Sequence, residues 1–225
     1  MSDSFTLVDG LALRDLQVFL GRAERVENGS VRLIASGRVL AVYVAALYPI
    51  GLLDETPTVL GLRTLALAED ATFDTVVPVR SLAERVTRKL DQGAAEADAV
   101  SLTLPLAVNT VTWTAISPPR GGWLTLEPTD AALLEQAAKA GIEEVAAAIP
   151  AGTGEQIVHR VRSEVWGRPI EGLEHVPAGA GFAAVTLGFL AEGEPVTVHE
   201  TGPWTRLTTK RGHVLVRRRA WTLTR

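Results

Sequence analysis

The clearest chemical signal in the sequence is a set of cations: Arg206, Lys210, Arg211, Arg217 and Arg219 in the stretch TGPWTRLTTKRGHVLVRRR, and Arg120 on the turn PPRGG. Guanidinium and ammonium groups bind carboxylates and phosphates, and a basic hairpin can touch a phosphate backbone without reading bases. From position 196 onward the formal charge is +6, whereas positions 1 to 195 carry −10. Such a split points to an acidic surface, the chain's own or a partner's. Alternation along the last strand sets Arg218 with Val214 and Val216, and sets Arg217 and Arg219 with His213 and Leu215. Arginines divided between two faces read as a charge-protected edge rather than a nucleic-acid stripe. Trp204 and Trp221 read as core residues in β segments rather than stacking platforms.

Other chemistries find few residues to work with. Cysteine is absent, which removes disulfides, thiolate nucleophiles and most structural zinc sites. His159, His175, His199 and His213 show no metal-ligand spacing, so no metal and no cofactor is expected. His159 and Glu155, one helical turn apart, are the acid/base pair to inspect. Gly152-Thr153-Gly154 opens a phosphate-loop pattern, but Ile157 stands where the last glycine belongs. There is no Gly-Lys dipeptide for a Walker loop and no GxSxG elbow. Adjacent acids such as Asp54-Glu55 and Glu143-Glu144 point apart on a regular element and read as solvated. No catalytic residue can be assigned.

The elements that must position these groups follow from periodicity. FTLV is a short strand, and LALRDLQVFLGRAERV places Leu13, Leu16, Phe19 or Leu20, and Ala23 on one helical face, ended by Asn28-Gly29. SVRLIASGRVLAVYVAAL reads as a hairpin turning at Ser36-Gly37, followed by the strand TVLGLRTLALA. A similar order comes next: the strand TFDTVVPV, a helix with Leu82, Val86 and Leu90 inward, then AVSLTLPL, NTVTWTAI and WLTLEP. This predicts two βαβββ-like units, an internal duplication.

Beyond position 128 a capped helix carries Leu134, Ala138, Ile142, Val145 and Ile149 on one face, with Gly141 as a weak point. Thr153 and Gln156 form a capping box before a helix with Ile157, Val161 and Val165 inward. GAGFAAVTLGFLAEG is an apolar helix, and PVTVHE, WTRLTT and HVLVRRR form a closing β-meander. The order of helices then hairpin is winged-helix-like, yet the helix before the hairpin lacks the polar side chains that read a groove. The apolar runs over 39–53 and 176–191 are shorter than the roughly 20 residues that cross a bilayer. The start MSDSFTLVDG has no secretory pattern, so no membrane association and a cytoplasmic location are expected.

The runs PTVLGLR, SPPRGGW, VWG, PAGAGFAAVTLGFL and GPWTRLTTKRGHVLVRR resemble an uncharacterised conserved-hypothetical protein type of high-GC Gram-positive bacteria. That resemblance implies no activity, ligand or site residue. The sequence predicts an α+β fold: a duplicated βαβββ-like domain over 1–127, and a helical domain over 128–225 ending in a basic three-stranded meander of winged-helix-like order. The expected function is a non-catalytic binding or assembly protein, a homo-oligomer or bound to a protein partner. The alternatives are sequence-nonspecific nucleic-acid binding through the basic hairpin, and an enzyme or small-molecule binder with a site built from distant residues.

Overall fold

A computed structural model of the 225-residue chain describes residues 4–26, 29–51, 54–108, 111–115, 117–150 and 152–217. Asn28, Arg218, Arg219 and Trp221, all used in the sequence reading, lie outside the described residues. The chain divides into two compact units, Met1–Val44 with Leu62–Ala115, and Ala45–Gly61 with Ile116–Arg225.

The first unit is built from strand β1 (Ser4–Leu7), helix α1 (Gly10–Val26), the parts of strands β2 (Ser30–Leu47) and β3 (Thr58–Pro78) within 30–44 and 62–78, helix α2 (Val79–Asp91) and strand β4 (Val100–Thr103). Its strands run in the order β4-β1-β3, with β2 also paired to β3. The Asp9 carboxylate accepts a bond from the Ala12 amide at 2.7 Å and so caps α1. The helix then buries Leu13, Leu16, Phe19, Leu20 and Ala23, both aromatic and leucine alternatives of the predicted stripe. Leu82 and Val86 of α2 are buried beside Val79, while Leu90 is half-buried. Arg63 holds Asp15 through Nε at 2.8 Å, and Arg32 holds Asp74 with two guanidinium nitrogens at 2.7 and 2.8 Å.

The predicted duplication fails at identifiable places. Gly37 takes φ +59° inside β2, so its left-handed conformation is absorbed within one long strand and the chain does not reverse at Ser36-Gly37. TFDTVVPV is the end of β3, not a strand of its own. NTVTWTAI forms a 3-10 turn over Thr112–Ala115 that buries Trp113. WLTLEP retains only the two-residue strand β5 (Leu124–Thr125).

The second unit continues with β6 (Thr129–Asp130), α3 (Ala131–Ala148), α4 (Glu155–Gly167), a small hairpin of β7 (Pro169–Ile170) and β8 (Leu173–Pro177), α5 (Ala178–Thr186), and the meander β9 (Pro195–Thr201), β10 (Trp204–Thr209) and β11 (Gly212–Arg217). The meander is not a projecting wing. Its strands form a sheet with β5 in the order β11-β10-β9-β5, with β6 also on β9. One face of that sheet carries Val196, Val198, Thr205, Leu207, Val214 and Val216, all buried, as alternation requires. Helix α5 packs on β11, and the Phe189 ring occupies the space where a side chain at Gly212 would stand.

Helix α5 is short and made of small residues, and it buries Gly179, Ala180, Gly181, Ala183 and Ala184. That allows a backbone-close crossing with α3, where a Cβ on Gly181 would lie 2.5 Å from the Leu134 carbonyl oxygen. The seam of α3 is Ala131, Leu134, Ala138 and Gly141, while Ile142 is 44% exposed. Gly141 does not break the helix. It makes room for the Trp166 ring, which stacks on Phe182 with centroids 4.6 Å apart. In α4 the buried residues are Val165 and Trp166, and Ile157 is largely exposed. The predicted capping box does not form: Gly154 is the N-cap, and the Thr153 hydroxyl donates instead to the Pro150 carbonyl at 2.7 Å.

Candidate functional site

The cations that drew attention in the sequence are dispersed over the second unit rather than gathered into a positive stripe. Lys210 reaches Glu194 at 3.4 Å, and Arg211 donates through Nη1 to the Leu190 carbonyl at 2.9 Å. Arg217 is exposed at the end of β11 and lies opposite Trp204 in register. Arg120 is exposed on its turn, where the Trp123 indole donates to the Pro119 carbonyl at 3.2 Å. Arg206 alone is half-buried, with its guanidinium carbon 4.5 Å from the centre of the Trp123 ring. Arg219 lies outside the described residues.

Arg206 sits in a defined row. On the sheet it is opposite His199 of β9 and Leu215 of β11, and Thr125 of β5 is opposite His199. These side chains share the face turned away from Val198, Leu207 and Val214. Burial lowers the pKa of the Arg206 guanidinium. Burial, and then the neighbouring charge of Arg206, lower that of His199 and so favour the neutral imidazole, against a smaller opposing contribution from the Arg206 backbone.

A second constellation lies beside α4 and was not predicted as a unit. His159 does face an acid, but the closer partner is Asp54, with Nε2 and Oδ2 3.6 Å apart. Glu155 lines the same cavity of about 710 Å³, with Ile50, Gln156, Arg160, Ser163 and Glu164. Asp54 is fixed by its own loop. Its Oδ2 accepts from the Ile50 amide at 2.8 Å, and its Oδ1 from the Thr56 amide at 3.0 Å and hydroxyl at 2.5 Å. Burial works against the charge on Asp54, but the bonds from Thr56 and Ile50, with His159 adding to them, outweigh it and hold the carboxyl below its usual range.

The proton on Ser163 can be placed from these bonds. Thr56 gives its hydroxyl proton to Asp54, so in the contact between the Thr56 and Ser163 hydroxyls Ser163 is the donor. Its proton therefore points to Thr56, and not to the imidazole that would activate it as a nucleophile. The arrangement ties the loop before β3 to α4. The signal the sequence offered was Asp54-Glu55-Thr56, a local pattern in which an aspartate bonds the amide two residues on; the partners on α4 lie too far along the chain to be inferred.

Among the described residues no group of three or more His, Asp or Glu is placed to hold a metal ion, and no helix is long and apolar enough to cross a membrane. A smaller cavity of about 380 Å³ lies between α3 and the β7–β8 hairpin, lined by Leu133, Ala137, Ala140, Val165 and Ile170.

Two family models match the chain in succession, each over just under half of it: a domain of unknown function (DUF8010) over residues 1–107 and another (DUF8185) over residues 118–221. No curated protein matches. Among solved structures the chain is similar to a protein from Eubacterium rectale assigned as a DNA polymerase III beta subunit (8% identity, TM-score 0.52, covering 99% of this chain and 66% of that one). It is likewise similar to the DNA polymerase sliding clamp of Caulobacter crescentus (13% identity, TM-score 0.50, 99% and 67%) and to the DNA polymerase III subunit beta of Pseudomonas aeruginosa (14% identity, TM-score 0.50, 98% and 66%). The chain thus spans about two thirds of the length of these structures. At such identities the likeness speaks to fold alone, and it replaces the winged-helix-like order expected from the sequence: two successive domains of unknown function here adopt the fold of the DNA polymerase III beta sliding clamp.

Proposed function

We propose that this chain is a non-catalytic binding and assembly protein that associates with further copies of itself. The observation that carries this reading is the likeness to sliding clamps along 99% of the chain. Two features of the units support it. In the first unit the sheet ends at β4, which pairs with β1 alone among the described residues, and Leu106 just beyond it is 90% exposed. In the second the end strand is β5, paired among the described residues with β9 alone, and its Leu124 is 71% exposed. Open strand edges with exposed leucines are templates for adding another strand. Contacts between unlike edges build rings or filaments, according to whether the rotation closes.

The proteins it resembles carry DNA polymerase in their names, so DNA is the second partner to test. Lys210 and Arg211 are engaged with Glu194 and the Leu190 carbonyl, and Arg206 lies against Trp123. These engagements weigh against a phosphate-gripping hairpin, and favour protein contacts as the primary role. Light scattering on the full chain tests the reading: a defined multiple of 24.0 kDa is expected, and a strict monomer at all concentrations refutes it. Fluorescence anisotropy with duplex DNA at low salt decides separately whether DNA belongs in the assembly.

A further inference from the structure

Two buried nitrogen atoms in neighbouring positions of the meander lack hydrogen-bond partners: Nε of Arg206 and Nδ1 of His199. The two residues are opposite each other in the β9–β10 register, so their side chains leave the same face of the sheet side by side. Trp123 lies over the guanidinium, and its indole bond to the Pro119 carbonyl fixes the ring in place. What is missing is a counter-charge. Among the described residues no carboxylate forms a salt bridge with Arg206. Glu200, the acid next to His199 on β9, is one residue along, so its side chain leaves the opposite face and meets Thr205 at 3.4 Å.

A half-buried guanidinium with an unbonded Nε is costly to maintain. The face of an indole offsets part of the charge, but it supplies no acceptor in the plane of the guanidinium. An oxyanion does so, because its oxygens match the fork of guanidinium donors. The adjacent imidazole brings its own unbonded Nδ1 to the same place.

We propose that Arg206 and His199, roofed by Trp123, form a subsite for an oxyanion, a carboxylate or a phosphate group, on the face of the meander opposite to Val198, Leu207 and Val214. The subsite stands independently of the self-association reading. Its guest is held by the Arg206 guanidinium, with His199 as the second contact and the indole as the wall.

The test uses the full chain. Thermal melting and tryptophan fluorescence are followed while succinate or inorganic phosphate replaces chloride at constant ionic strength. A saturable rise in melting temperature with a fluorescence change is expected, and the better of the two anions identifies the group the subsite takes. Arg206→Met should weaken that anion's binding by about tenfold or more, the loss of a charge-assisted hydrogen bond. It should leave the anion-free protein at least as stable, because an uncompensated buried charge has been removed. Trp123→Phe should keep the melting response and lose the fluorescence response, which guards against an Arg206 variant that fails to fold. The proposal is overturned if neither anion acts differently from chloride, if Arg206→Met responds as the parent does, or if that variant folds with a lower anion-free melting temperature.

Discussion

The crossing of α3 and α5 makes a prediction whose sign is opposite to that of helix propensity. Replacing Gly181 by alanine in the middle of a helix should stabilise by about 1 kcal/mol on propensity alone. In the folded chain, however, the new Cβ would lie 2.5 Å from the Leu134 carbonyl oxygen, where ordinary contact begins at 3.4 Å. Both neighbours are backbone, so the helices must part by roughly 0.9 Å. A gap of that size forfeits about a quarter to a half of each contact's dispersion energy along the seam. Overpacking of this kind costs about 1–3 kcal/mol, and a contact on rigid backbone belongs at the upper end, which leaves about 2 kcal/mol of net destabilisation. With a urea slope of about 2 kcal/mol per molar, the midpoint should fall by about 1 M. Gly21 of α1 is the control, since a Cβ there meets nothing within 4 Å, and Gly21→Ala should stabilise by up to about 1 kcal/mol. A Gly181→Ala midpoint equal to or above that of the parent would refute the backbone-contact argument.

Other outcomes follow from the same structure. Gly141→Ala places a Cβ 2.2 Å from the Trp166 ring; near-ultraviolet circular dichroism should report a disturbed Trp166–Phe182 stack, with about 1–3 kcal/mol lost. His199 has a folded pKa below its ordinary 6.5, so the unfolded chain binds its proton first: its contribution is complete above about 6.5 and is lost as pH falls towards the folded value. Melting across that range should be flatter in His199→Phe. Asp54 also has a lowered pKa, below its ordinary 3.8, so its contribution holds above that value and is lost as pH falls through the folded one; acid titration of Asp54→Asn should lack this component. Leu106→Lys and Leu124→Lys should each shift light scattering towards the monomer, and a parental mass in both would remove the strand-edge route to assembly.

Where one element decided its own pattern, the sequence was readable. The inward face of α1 was legible because seventeen residues of one helix carry a regular stripe over a single core. The reading failed where a distant partner decides. Ile142 fits the helical period better than Gly141 does, but Trp166, on another helix, needs the space that only glycine leaves. Ser36-Gly37 has the composition of a turn, yet a glycine at positive φ is equally at home in a long strand. The winged-helix-like order failed because order along the chain is silent on pairing, and the meander pairs into a sheet with β5 and β6. Of the candidate cations, local alternation set Arg217 with His213 and Leu215, but it gave neither the burial of Arg206 nor the exposure of Arg217. The contact of Thr56 with Ser163 joins residues 107 positions apart, and no local signal marks both ends.

The small residues of α5 also bear on how the second unit holds itself in one conformation. Glycine and alanine have no rotamers to lose, so the buried positions 179, 180, 181, 183 and 184 give up only backbone freedom when the helix docks, whereas a leucine at each would surrender about 0.5–1 kcal/mol of side-chain entropy. Part of what the helix forgoes in buried apolar area is thereby returned as a smaller ordering cost. Nor can such a surface relax by repacking: with no side chains to rotate, α3 and α5 have a single depth of approach, set by Leu134 and Gly181. The crossing therefore acts as a hard stop, a fixed spacer between α3 and α5, the helix that packs on β11.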